Sequence, residues 1–190
     1  TYLPHYPYYN YSVSQQIYTA EEMGGNIGNI TSISFLESTG LYGATTRNVE
    51  VYMLNTTKEN FAGSYDFVNM STDNLVYSGT YEYSGVDGEW ATIQLQTPFA
   101  YEGANILLCV VDNTGFWASG VRYHSYNTTD GIRNVYNNND YYPYYATYLS
   151  STYCYNSYNQ DSYTNNIVKF VVDVNGGEEP AIVVTPNPID

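Results

Sequence analysis

Positive charge is what this chain has least of. Lys and Arg together number 5 against 19 Asp and Glu, for a formal net charge of -14 over 190 residues. Nucleic-acid binding needs clustered cations to replace counterions, so that class of partner is excluded, and an anionic lipid surface is disfavoured for the same reason. Histidine is almost as scarce: His5 and His124 lie far apart and belong to no motif. The chain has no G-x-S-x-G elbow, no H-E-x-x-H and no phosphate-binding glycine loop. Only a carboxylate pair, which is recognised by geometry, could carry hydrolysis, and the expectation is a noncatalytic chain. No run approaches the roughly 18 apolar residues of a membrane span, so no direct membrane insertion is expected. The opening TYLPHYPYYN has neither the basic nor the apolar region of a signal peptide. Cysteine is limited to Cys109 and Cys154. They permit one disulfide, closing a loop of about 45 residues and contributing roughly 4 kcal/mol in the chain-entropy model. In the other reading, Cys109 is a small buried hydrophobe and Cys154 a loop thiol. A sustained helical period is missing as well; only AEEMG could form a helical turn.

Against these gaps stands tyrosine, with 25 residues, set in segments of strand periodicity. Thr31, Ile33 and Phe35 alternate with serines; Val49, Val51 and Met53 with Asn48, Glu50 and Tyr52; Ala91, Ile93 and Leu95 with Thr92, Gln94 and Gln96. Val168, Phe170 and Val172 alternate with Lys169 and Asp173. Such alternation marks half-buried antiparallel strands. NILLCVVD is continuously apolar, as a central strand covered on both faces should be. Turn signals such as GGNIG, STGLYG, SGVDG, DNTG and TTDG separate the strands. The fold class expected is all-β: an antiparallel β-sandwich of jelly-roll type. A long Tyr/Asn-rich loop insertion, Tyr136 to Tyr163, interrupts the strands, and loops of that length are usually functional or disordered. Residues 1–175 read as the sandwich. Residues 176–190 read as a Gly/acidic linker followed by the start of a further, immunoglobulin-like domain, as though the chain were a piece of something longer.

The stretches YSVSQQIYTAEEMGGNIGNITSISF, TRNVEVYMLNT, VYSGTYEYS and WATIQLQTPFAYEGANILLCVVDNTG together resemble a β-sandwich module of large secreted and surface proteins of Bacteroidota-like bacteria. The likeness is to adhesin-type, galactose-binding-like jelly rolls that accompany peptidases and glycan-degrading enzymes. It spans Tyr11 to Asn113 and resumes at NIVKFVVD; TPFAYEGANILL is its most specific part. The resemblance implies an extracellular or cell-surface, noncatalytic domain set among other domains of the same polypeptide. It names no ligand, because the architecture serves many functions, and it does not extend to the Tyr/Asn insertion.

Two chemistries suit the residues present. Calcium, a hard cation that prefers oxygen, is the cofactor the composition points to, in a structural role. Glu22, beside Glu21 at a loop start, and Asp112 and Asn113 at a strand exit are the candidate ligands. Asp112-Asn113-Thr114-Gly115 also reads as a self-sufficient turn with Asx bonding and glycine at positive φ. Glycan recognition is the second chemistry. Pyranose faces stack on aromatic rings while Asn, Asp and Gln bind the hydroxyls, and rings fixed in place lose little entropy. Trp117, Arg122, Tyr123, Tyr141, Tyr142, Tyr144 and Tyr145 are the candidate contacts; taken singly, Trp90 and Trp117 read first as core or sheet-edge packing residues and only second as ligand contacts. The Tyr loop is either a contact surface or a self-packed cover, or partly both. The expected function is a noncatalytic extracellular adhesin module binding glycan, on mucin or another host surface glycoprotein or on polysaccharide. A protein-binding adhesin and a structural spacer are the alternatives.

Overall fold

The computed structural model describes residues 1–38, 45–118, 122–149, 160–162, 164–174 and 182–184, and among them the only helical pieces are two single 3-10 turns. The strands are β1 (Tyr11–Tyr18), β2 (Gly28–Leu36), β3 (Thr45–Thr56), β4 (Leu75–Tyr83), β5 (Trp90–Tyr101) and β6 (Asn105–Asp112). After them come β7 (Ser125–Asn127), β8 (Asn134–Asn139), β9 (Gln160–Ser162), β10 (Thr164–Asn166), β11 (Val168–Asp173) and β12 (Ile182–Val184). One sheet has the order β4-β3-β6-β1-β8-β9 and the other β12-β11-β2-β5, while β10 and β7 pair separately. Every pairing is antiparallel. The molecule is an antiparallel β-sandwich, and β1–β2, β2–β3, β4–β5 and β5–β6 each cross from one sheet to the other.

Period-2 alternation explains the core between the sheets. Val49, Val51 and Met53 of β3 meet Ile33 and Phe35 of β2, Ala91 and Ile93 of β5, and Val168, Phe170 and Val172 of β11, all buried. Each of these side chains larger than Ala91 contributes about 1.5–3 kcal/mol when fully withdrawn from water. Thr31 departs from the expected pattern. The register of β2 against β5 shifts between Ile30 and Ser32, a bulge that makes Ile30 the buried residue and leaves Thr31 half-exposed.

A second core lies on the outer face of the first sheet. Within β6, Ile106, Leu108 and Val110 belong to the inter-sheet core; Leu107, Cys109 and Val111 belong to the outer one. There they pack with Phe61 and Met70 from one loop and with Tyr144, Ala146 and Leu149 from the chain after β8; the expected loop from Tyr136 to Tyr163 contains most of β8 and all of β9, which pair in the first sheet. The two loops are tied together by Met70 N–H donating to Ala146 O (2.8 Å) and Leu149 N–H donating to Asn69 Oδ1 (2.6 Å). Gln15 holds the cover to β1, accepting from Val68 N–H at 2.8 Å and donating to Val68 O at 2.6 Å. Tyr52, which alternation places on a polar face, is therefore buried, its hydroxyl donating to Glu50.

Residues 1–10 form a strap with Leu3, His5 and Pro7 buried. It lies over the polar inward side of β1: Ser14 Oγ donates to Pro4 O at 2.6 Å and Tyr6 N–H to Ser12 Oγ at 2.9 Å. Asn166 Nδ2 donates to Leu3 O at 2.6 Å. Ile182–Val184 pairs with β11 as β12, while the rest of the expected linker and following domain lies outside the described residues. Cys154 and residues 150–159 and 163 of the insertion lie outside them too; Cys109 is fully buried.

Candidate binding surface

Three neighbouring strands bring the chain to one end of the sandwich. Ser12 faces Asp112 and Tyr11 faces Asn139, so β1 begins where β6 and β8 finish. The strap, the loop after β6 and the Tyr/Asn insertion all leave from this end.

A buried ion pair anchors the loops. Arg47 shares the inward side of β3 with Val49 and Val51, and Asp112 shares that of β6 with Val110 and Leu108; both side chains are fully buried. Arg47 Nε donates to Asp112 Oδ2 at 2.7 Å, Nη1 to Phe116 O at 2.6 Å and Nη2 to Tyr9 O at 3.1 Å. The other carboxylate oxygen, Asp112 Oδ1, accepts from Thr114 N–H (3.0 Å) and Thr114 Oγ1 (2.6 Å), and Gly115 turns the chain at φ +83°. One arginine thus fixes β6's exit, the Phe116 loop and the strap together.

Further bonds lace the three segments to one another. Gly115 N–H donates to Asn10 O and Ala118 N–H to Pro7 O. Asn10 donates through its backbone and side chain to Asp140. Asn113 donates to Tyr144 O at 2.8 Å and accepts from Tyr144 N–H at 3.0 Å. Asn139 Oδ1 accepts from the backbones of Tyr141 and Tyr142, closing an Asx turn.

Among the exposed rings on this frame are Tyr8, Phe116, Trp117 (65 % exposed), Tyr141 (86 %) and Tyr145 (57 %). Each lies within one residue of a bond between segments. Of the residues expected to contact glycan, Trp117, Tyr141 and Tyr145 are presented and Tyr142 is half-exposed. Tyr144 and Tyr123 are buried and offer no face: Tyr144 belongs to the outer core, with its hydroxyl on Asn137, and Tyr123 to the inner core, with its hydroxyl on His5. Burial pushes the Tyr123 hydroxyl well above the usual tyrosine range. Arg122 is turned to the strap, donating to Tyr2 Oη at 2.9 Å with its guanidinium 4.9 Å from the Tyr2 ring centroid. Tyr8 and Phe116 were not among the expected contacts.

The candidate calcium ligands are not brought together. Glu22 lies beyond Tyr18, at the opposite end of β1 from Asp112, about 20 Å away at roughly 3.4 Å per residue. Its oxygens accept from Arg133 Nη1, Tyr126 Oη and Thr19. Asp112 is committed to Arg47, Asn113 to Tyr144, and Glu21 is exposed. Among the described residues no three acidic, His or Cys side chains gather, so these residues do not fit a single calcium site.

A cleft of about 610 Å³ opens beside the β4–β5 turn, lined by Glu37, Thr46, Glu82, Glu89, Trp90 and Thr92 among others. Its one buried carboxylate, Glu37, is committed to the turn, accepting from Ser84 N–H, Ser84 Oγ and Gly85 N–H. Trp90 is half-buried, with Lys169 Nζ 4.2 Å from its ring centroid.

Comparison with known proteins finds no matching family model, no matching curated protein and no matching solved structure.

Proposed function

We propose that the chain is a noncatalytic binding module of an extracellular or cell-surface protein. It would hold glycans of mucin, another host glycoprotein or polysaccharide against the aromatic end of the sandwich. The reading takes the strands' alternation between sheets as jelly-roll connectivity, in keeping with the adhesin-type resemblance. The observation that carries it is the exposure of Trp117, Tyr141 and Tyr145 on segments bonded to one another. Large rings are exposed on loops whose backbones are bonded to one another, so stacking a sugar on them needs little further ordering. The mechanism is stacking on two or three rings, with hydrogen bonds from the sugar hydroxyls to the polar rim around Asp140. One such site binds at about 10⁻⁴ to 10⁻³ M; repeats in a longer polypeptide would raise the effective affinity through avidity.

The test is a mucin and polysaccharide panel with free-sugar competition. Trp117→Ala and Tyr141→Ala are each expected to weaken binding about tenfold, equivalent to about 1.4 kcal/mol, at an unchanged melting temperature. Wild-type affinity in both variants would sink the proposal, as would the absence of saturable binding by the folded protein.

One observation favours a protein partner as the second reading. Asn10, Asn113 and Asn139 are spent on lacing the loops, which leaves the rings more apolar than their composition suggests. Binding to a protein ligand that free sugars do not compete would select this reading.

A further inference from the structure

We propose that residues 1–10 are an acid-sensitive latch: protonation of His5 expels the strap and takes apart the aromatic surface it helps to hold. The consequence for ligand rests on the binding reading above; the latch itself does not.

The His5 ring is 1 % exposed and fills a cage of three tyrosines, Tyr81, Tyr83 and Tyr123, with ring centroids 5.4, 5.8 and 5.5 Å away. Its Nε2 shares a 2.9 Å hydrogen bond with Tyr123 Oη. Its Nδ1 has no hydrogen-bond partner and lies 3.7 Å from Asp112 Oδ2, an oxygen that already receives Arg47 Nε. The groups facing the ring are thus Asp112 from β6, Arg47 from β3, Tyr81 and Tyr83 from β4, and Tyr123 from the chain before β7. Arg47 offsets part of the attraction of Asp112, so an imidazolium here would be a buried charge whose nearest carboxylate is already engaged by another cation. Cation–π attraction to tyrosine, about 0.5–2 kcal/mol, does not offset that burial.

The neutral ring suits the cage and the charged ring suits water. Burial holds the docked imidazole down at about 4, against the upward pull of Asp112 and with a smaller downward push from Arg47; the ordinary value is 6.5. In the released strap His5 binds its proton below pH 6.5, while in the docked strap it does so only below about 4. Docking is therefore fully favoured above pH 6.5 and weakens about tenfold per pH unit as the pH falls through that window, roughly 300-fold in all.

Release of the strap reaches the aromatic end directly. Pro7 O, Tyr9 O and Asn10 O accept from Ala118, Arg47 and Gly115, and Asn10 donates to Asp140. Losing these bonds withdraws Tyr8 and frees the loop carrying Trp117. The Arg47–Asp112 pair and the strands around it remain.

Hydrogen exchange of the whole protein, without ligand and corrected for intrinsic rates, tests the latch. Between pH 6.5 and 4.5 the protection of Gly115 and Ala118 amides is expected to fall about 40-fold, with Val51 and Val110 unchanged. In His5→Phe the fall should vanish. Unchanged reporters in the wild type overturn the latch, as does an equal fall in His5→Phe or a parallel fall at Val51 and Val110. Should His5→Phe fail to fold, NMR titration of the wild-type imidazole decides the matter. A midpoint that tracks the loss of Ala118 protection supports the latch, and an imidazole that titrates near 6.5 with Ala118 still protected overturns it. Latch opening in a protein that binds no glycan sinks only the binding reading; glycan binding with pH-independent protection sinks only the latch.

Discussion

Arg47→Ala is expected to destabilise the domain by about 3–5 kcal/mol, because it strands the Asp112 carboxylate in the interior without its counter-charge. For a chain of this size that corresponds to a fall of roughly 10–15 °C in melting temperature. The three bonds from Arg47 to Asp112, Phe116 O and Tyr9 O are lost together, so the strap and the Phe116 loop should loosen along with the core. Urea unfolding followed by far-UV dichroism measures the loss. The double variant Arg47→Met with Asp112→Leu should recover most of it, since an apolar pair of similar volume in place of a buried ion pair is often neutral or better. A single-variant loss below about 1 kcal/mol, the scale of exposed pairs, would mean that the pair is not the buried anchor described above.

The second large effect separates two adjacent residues of the same type. Tyr144 is buried in the outer core, whereas Tyr145 is 57 % exposed. Tyr144→Ala is expected to cost about 3–5 kcal/mol through the cavity it leaves, and Tyr145→Ala less than about 0.5 kcal/mol. On ligand binding the order should reverse, with Tyr145→Ala weakening the folded protein's affinity. Equal stability costs at the two sites would refute the division of the loop into buried and presented halves.

That division was not legible in the sequence. DYYPYYATY offers the same composition on either side of Pro143, and what buries Tyr144 is a second core requiring Phe61 and Met70 from a loop some 75–85 residues earlier. Strand alternation was legible wherever side chains alternate in character, as in β3, β5 and β11. In the structure the same phase carries Arg47 with Val49 and Val51, and Asp112 with Val110, which the sequence pattern alone did not single out. A charge in an inward phase reads as an error in the pattern until its partner, 65 residues away, is known. In a chain with five cations each one repays scrutiny: Arg47, Lys58 and Arg133 pair with carboxylates, and Arg122 and Lys169 lie over rings. The strap was the least legible part, since TYLPHYPYYN has no period and its place is set by single bonds to β1 and β10. Asn113 shows the same limit from the other side: an amide at a strand exit suits a metal or a backbone equally, and only the nearness of Tyr144 decides between them.

The two tryptophans report separately on the surface and on the body of the sandwich. A ¹H–¹⁵N NMR titration with mucin oligosaccharides would follow both indole N–H signals in one experiment. The expected result is a saturable shift of the Trp117 indole, at 10⁻⁴ to 10⁻³ M ligand or thereabouts, with Trp90 unmoved under Lys169. Stationary signals from both indoles in the folded protein, or a shift of Trp90 alone, would contradict a glycan-binding surface at the aromatic end.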